Sequence, residues 1–212
     1  MGACGSSQTP EQKAALERSK ELDKQNAQDF ATETQKIKLL LLGAGESGKS
    51  TIFKQFKLLY GAGFSEAERR DWLPKIHMNI LTAIKALCNA VATLPELGAE
   101  IAELAKGSFD LVCDADVRAT MTEELAAAIK LLWADAAVQA AWARRSEFQV
   151  IESNELYLHK IDEIKEFDYV PTVDDILTAR VKTSGIIEES YVIDDVTFVM
   201  IDVGGQHNER KK

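Results

Sequence analysis

The chain has 212 residues, 46% hydrophobic and 28% charged, proportions ordinary for a globular protein and sufficient for one large domain or two small ones. Its 25 Lys and Arg stand against 34 Asp and Glu, a formal net charge of −9 that argues against nonspecific nucleic-acid binding. Three widely spaced cysteines (Cys4, Cys88, Cys113) read as reduced thiols, the three histidines form no zinc pattern, and no apolar run approaches the roughly 18 residues that span a bilayer.

In chain order, Met1-Gly2-Ala3-Cys4-Gly5-Ser6 fits the acceptor pattern for N-myristoylation at Gly2. One myristoyl chain holds a protein only marginally at a membrane, and Cys4 is placed to supply a second, palmitoyl anchor. From Thr9 to about Gln35 the chain turns charged and Ala/Gln-rich, with Thr9 as N-cap and Pro10 in the first turn of a long helix. Its apolar stripe is thin (Ala15, Leu22, Phe30), so this amphipathic helix either lies exposed or docks on a partner.

The apolar run Ile37–Leu42 reads as a strand, and GAGESGKST at Gly43–Thr51 follows it and opens a helix over Ser50–Leu59. Strand, glycine loop and helix form the context that makes G-x-x-x-x-G-K-[ST] a phosphate site. Gly43, Gly45 and Gly48 let successive N–H groups turn inward as an anion nest, and the helix dipole points its positive end at the same place. Lys49 reaches the terminal phosphates, and the Ser50 hydroxyl suits a Mg²⁺ that bridges them.

Tyr60-Gly61-Ala62-Gly63 breaks the helix and marks a boundary. Beyond it, Leu73, Ile76, Ile80, Ile84, Leu87, Val91 and Leu94 recur at three- and four-residue steps, which predicts one long helix ended by Pro95. Further helices are predicted over Leu97–Leu104, after a Thr120-x-x-Glu123 capping box, over Ala136–Phe148 and Asn154–Glu166, and after Thr172-x-x-Asp175. No strand is expected between Gly61 and Pro171, so this stretch reads as an inserted all-helical domain with Met and Trp in its core. The period then changes to two, and Ile187–Ile193 and Val196–Val203 read as an antiparallel hairpin turning at Asp194-Asp195.

GAGESGKST at Gly43, the helical insert, RVKTSG from Arg180 and DVGGQ from Asp202 together resemble the α subunit of heterotrimeric G proteins, along the whole chain. The resemblance implies a Ras-like α/β P-loop nucleotide-binding domain over 36–60 and 172–212, interrupted by the helical insert over 61–171 and preceded by a lipid-anchor site and helix over 1–35. It implies GTP/GDP and Mg²⁺ as ligands and GTP hydrolysis as the reaction. The nucleotide-binding set would be Gly45, Glu46, Ser47, Gly48, Lys49, Ser50, Thr51, Asp135, Leu177, Arg180, Thr183, Asp202, Gly205 and Gln206. Ser50 and Thr183 would ligate the metal, with Asp202 acting through water. Arg180, held near the loop by Glu46, would be the built-in arginine finger, and Gln206 would orient the attacking water.

The resemblance also implies switch segments around Thr183 and Gly205, docking of a βγ dimer on the N-terminal helix, a receptor and an effector, and lipid attachment at the cytoplasmic face of the plasma membrane. Two departures stand out. His207 occupies a position where the family ordinarily has Arg, which is expected to weaken the activated switch. The chain reaches Lys212 inside the second switch, whereas the family pattern continues to an Asn-Lys-x-Asp guanine-reading motif and a receptor-binding helix. The nucleotide domain is therefore expected to be incomplete, and this chain to show little GTPase activity. Two alternatives are a non-cycling, membrane-tethered βγ-binding module and a P-loop NTPase of another base preference, the latter disfavoured by Arg180-x-x-Thr183 followed by DVGGQ.

Overall fold

The computed structural model describes residues 9–45, 47–94, 100–148, 150–151, 153–183 and 185–204. Backbone contacts divide the chain into two compact units, residues 1–49 with 184–212 and residues 50–183.

The first unit begins with α1 (Pro10–Thr34), whose Thr9 carbonyl accepts the first-turn N–H of Lys13 as expected of an N-cap position. Leu16, Leu22 and Phe30 are all exposed along it. Glu33 in its last turn pairs with Lys36 at 2.6 Å and Lys38 at 2.8 Å, and hydrogen bonds from the two ammonium groups hold its carboxyl down at about 2. Strand β1 (Ile37–Leu41) follows. It pairs in parallel with β3 (Val196–Val203), which pairs antiparallel with β2 (Ile186–Ile193), giving the order β1-β3-β2. The two-residue hairpin turn needs left-handed backbone at both central positions, and Asp194 (φ 49°) and Asp195 (φ 63°) adopt it. β3 is the central strand, and it carries the buried Val199, Met200 and Asp202.

Among its described residues the second unit contains no strand. After α2 (Lys49–Tyr60), which starts at the unit boundary, the chain passes through α3 (Glu66–Arg70) into α4 (Leu73–Thr93). Ile76, Ile80, Ile84 and Leu87 of α4 are completely buried, so the three- and four-residue spacing seen in the sequence is the spacing of a core helix. Around it pack α5 (Lys106–Asp114), α6 (Glu123–Trp133), α7 (Ala136–Ala143) and α8 (Asn154–His159), followed by α9 (Ile161–Ile164) and α10 (Val173–Thr178). Trp133 and Trp142 meet edge to face at 5.4 Å within this core. No single described helix is long and apolar enough to cross a membrane.

Four sequence expectations need correction here. Of Leu97–Leu104, residues 97–99 lie outside the described residues, and the remainder holds only the start of a 3₁₀ turn over Glu103–Ala105. The N-cap of α6 is Thr122, not Thr120: its extended backbone lets its hydroxyl accept from Leu125 N–H, and Glu123 and Glu124 then fall in the first turn, favourably placed against the helix dipole. Helix α7 stops at Ala143, where Arg144 leaves helical geometry and a 3₁₀ turn over Arg145–Glu147 follows. The predicted helix over Asn154–Glu166 breaks at Lys160, whose N–H is shared between the Leu156 and Tyr157 carbonyls and whose ammonium reaches Asp175. The capping box at Thr172 and Asp175 forms as expected.

Ile84→Ala removes a fully buried side chain from the middle of α4. It should destabilise the helical unit by about 2–5 kcal/mol, read as a lowered urea midpoint by circular dichroism. A loss below about 0.5 kcal/mol would contradict the placement of Ile84 in a close-packed core.

Candidate nucleotide site

Leu41, the last residue of β1, lies opposite Asp202 of β3, so a buried carboxylate sits on the neighbouring strand where the glycine loop begins. The loop is tight. A Cβ on Gly43 would come within 2.5 Å of Ser47 Oγ, and Gly48 takes φ +83°, a left-handed conformation that suits glycine. Lys49 folds back across this loop, its Nζ donating to the carbonyls of Gly43 at 3.1 Å and Ala44 at 2.7 Å, with Ser47 Oγ at 3.4 Å. The ammonium is thereby held at the loop, at the first residue of α2. Positive charge and glycine backbone meet at this loop, an arrangement suited to an anion. Gly45 in the loop and Thr51 in the first turn of α2 are both exposed.

In the second unit, Ser50 and Thr183 stand 133 positions apart in sequence, yet their hydroxyl oxygens lie 2.7 Å from each other. Two hard oxygen donors side by side suit Mg²⁺, which prefers oxygen ligands and completes its shell with phosphate and water. Among the described residues no cluster of three or more His, Cys, Asp or Glu side chains is positioned to hold a metal.

The segment leading to Thr183 is pinned at several points. Lys54 of α2 is buried, only 8% exposed, and donates from Nζ to the carbonyls of Ile176 (2.8 Å) and Ala179 (2.6 Å) at the end of α10. Its ammonium also lies 4.5 Å from the Trp72 ring centroid. Burial, with a smaller contribution from Lys75, pulls its titration down to about 8. Asn79 of α4 bonds both polar groups of the Arg180 peptide unit, accepting from its N–H at 2.9 Å and donating to its carbonyl at 2.8 Å. Leu177 is half-buried in α10, and the Arg180 side chain is exposed.

Asp135 is placed differently. One carboxylate oxygen caps α7 through Ala137 N–H at 2.8 Å, and the other accepts from Ala102 N–H at 3.0 Å. Glu46, Gly205, Gln206 and His207 lie outside the described residues, as do Gly2 and Cys4. Sequence reasoning missed Lys54 and Asn79. Their only signal was a lysine beside Phe53 and an amide between Ile76 and Ile80, polar residues set against an apolar stripe.

A parallel strand feeding a glycine-rich loop and a helix, with an inward lysine, defines a P-loop nucleotide-binding protein. The family model of the G-protein alpha subunit matches residues 16–212, and the chain belongs to that family. It is thus a guanine-nucleotide-binding signal transducer. Members generally are GTPases that bind GTP or GDP, typically with Mg²⁺. They partner with βγ dimers, receptors and effectors and are typically associated with the cytoplasmic face of membranes.

The pKa of Lys54 has a testable consequence. Its folded value lies near 8, below the ordinary lysine value, so between those two pH values the unfolded chain binds more protons than the folded one. The stability difference between wild type and Lys54→Met should therefore shift in favour of wild type as pH rises from about 8 towards 10, and stay flat from 6 to 7. Urea denaturation of both proteins across that range measures it. A difference independent of pH up to 10 would contradict the burial of this ammonium.

Proposed function

We propose that the chain is a GTP- and Mg²⁺-dependent switch that hydrolyses GTP to GDP downstream of a G-protein-coupled receptor. The observation that carries this reading is the Ser50–Thr183 hydroxyl pair, one partner on the helix that follows the phosphate loop and the other just beyond Arg180. We assign residues 36–60 and 172–212 to the Ras-like half and 61–171 to the helical insert.

In this reading the backbone of Gly45, Ser47 and Gly48, with Thr51 at the helix start, binds the phosphates, and Lys49 exchanges its loop carbonyls for phosphate oxygens. Ser50 and Thr183 would hold Mg²⁺, and Asp202 would act on it through water. The ion, when bound, neutralises phosphate charge and polarises the transferred group. Arg180 places a permanent positive charge where negative charge develops, and Leu177 packs beside the nucleotide. Gly205 and Gln206 would serve the γ-phosphate and the attacking water, and Glu46 would steady Arg180. A nucleotide-facing role for Asp135 rests on family position alone, since its two carboxylate oxygens already serve α7 and Ala102.

Acyl groups at Gly2 and Cys4 would tether the protein at the cytoplasmic face of the plasma membrane, with α1 docking a βγ dimer. The exposed Leu16, Leu22 and Phe30 favour that docking. They also favour a second reading, a tethered βγ-binding module that does not cycle.

Filter binding of a labelled, non-hydrolysable GTP analogue with Mg²⁺ tests the first reading. Wild type should bind it in preference to the ATP analogue. Lys49→Ala should weaken binding by roughly tenfold or more, the loss of a charge-assisted contact. Tighter binding of the ATP analogue would contradict the proposal. Capture of βγ by the chain that a Thr9–Gln35 peptide competes away, with no measurable effect of either nucleotide on the chain, would favour the second reading.

A further inference from the structure

We infer that Asn79, in the body of the helical unit, is a positioning residue for Arg180. The inference rests on the reading of Arg180 as the group that neutralises charge on the transferred phosphate. Asn79 sits on α4 between Ile76 and Ile80 and is only 4% exposed. A buried amide that found no partners would be costly, and this one is used almost to capacity. Its Nδ2 donates to the Lys75 carbonyl at 2.7 Å and to the Arg180 carbonyl at 2.8 Å, while its Oδ1 accepts from Arg180 N–H at 2.9 Å. Reversing the amide would set donor against donor at Arg180 N–H and acceptor against acceptor at both carbonyls. The orientation is therefore fixed by its partners.

Two hydrogen bonds from one rigid amide to the N–H and the C=O of a single residue fix both backbone torsions of that residue together. The direction in which the Arg180 side chain leaves the backbone is fixed with them. The anchor itself is held: Asn154, 1% exposed, donates from Nδ2 to the backbone carbonyl of Asn79 at 3.2 Å. On either side of Arg180 the chain is tied independently, by Lys54 to Ile176 and Ala179 and by the Ser50–Thr183 pair. Between those ties Asn79 supplies the fastening at residue 180 itself. A long, flexible arginine that must reach a developing charge loses less entropy when its root is fixed beforehand, and small misplacement of such a group is expensive in rate. The helical unit, through Asn79, thus sets the aim of the catalytic arginine.

The test begins with wild-type protein, so that no variant has to fold. By NMR hydrogen exchange the Arg180 amide should be strongly protected compared with that of the exposed Lys182; equal, rapid exchange at both would overturn the inference. Single-turnover GTP hydrolysis by the full chain, followed long enough to resolve a slow wild-type rate from the reaction without protein, then compares Asn79→Ala, Asn79→Asp, Arg180→Ala and the Asn79→Ala/Arg180→Ala double variant. Asn79→Ala should slow hydrolysis by roughly tenfold to a hundredfold with GDP affinity unchanged. The double variant should be no slower than Arg180→Ala alone, because Asn79 acts through Arg180. Asn79→Asp keeps the acceptor for Arg180 N–H but sets its second oxygen against the Lys75 and Arg180 carbonyls, so it should not restore the wild-type rate. Additive losses in the double variant, or an Asn79→Ala rate equal to wild type while Arg180→Ala is slow, would overturn the role of Asn79 and leave the reading of Arg180 intact. A wild-type rate in Arg180→Ala would overturn both.

Discussion

The return of the chain towards Arg180 and Thr183 depends on a contact between Lys54 and the end of α10. The chain leaves the P-loop helix after Tyr60 and returns only near Pro171, and closing so long an excursion carries an entropic cost that local contacts must offset. Lys54 bridges 122 positions to Ile176 and 125 to Ala179. The physics suits a lysine. The last turn of a helix leaves carbonyls without partners and carries the negative end of the dipole, and an ammonium answers both needs at once. Burying that ammonium costs desolvation, seen in its depressed pKa, and the Trp72 ring together with two short hydrogen bonds compensates for it.

With the return segment held, its chemistry follows from geometry. Thr183 is carried to Ser50, and Arg180 is delivered with its backbone already bonded. A second layer of polar contacts stabilises α10 itself. Tyr157 Oη donates to the Asp175 carbonyl at 2.5 Å, the Lys160 ammonium lies 3.1 Å from the Asp175 carboxylate, and Tyr169 Oη also reaches that carboxylate. Burial pushes the Asp175 carboxyl up, but hydrogen bonds from Tyr169, Thr172 and Lys160 together outweigh it and keep the group below the ordinary range. The helical body thus grips the segment that bears the candidate catalytic arginine through buried polar contacts, which demand more specific geometry than apolar ones.

What the sequence made legible was whatever had a period or a fixed turn chemistry. The hairpin was readable because two β-branched runs flanked Asp194-Asp195, and α4 because its apolar residues recur over six turns. Helix α5 was missed because Gly107 and its charged residues dilute a short stripe of Phe109, Val112 and Cys113. Helix α3 is only five residues long. The α6 cap was misplaced by two residues because Thr120 and Thr122 compete as N-caps, and only the extended backbone at Thr122 decides between them. At the site, the glycine loop, Lys49 and Ser50 were readable as a local motif. Lys54 and Asn79 were not, because each earns its place through a partner more than 100 positions away, and pairings at that distance leave no local pattern.

The central claim is that Ser50 and Thr183 share one cation beside a guanine nucleotide. The most direct measurement is NMR of the chain labelled in serine and threonine, with a non-hydrolysable GTP analogue and Mn²⁺ replacing Mg²⁺. Paramagnetic broadening should erase both Ser50 and Thr183 and affect Thr93, about 20 Å along α4 from Asn79, far less. A Thr183 signal that stays as sharp as that of Thr93 would contradict the account.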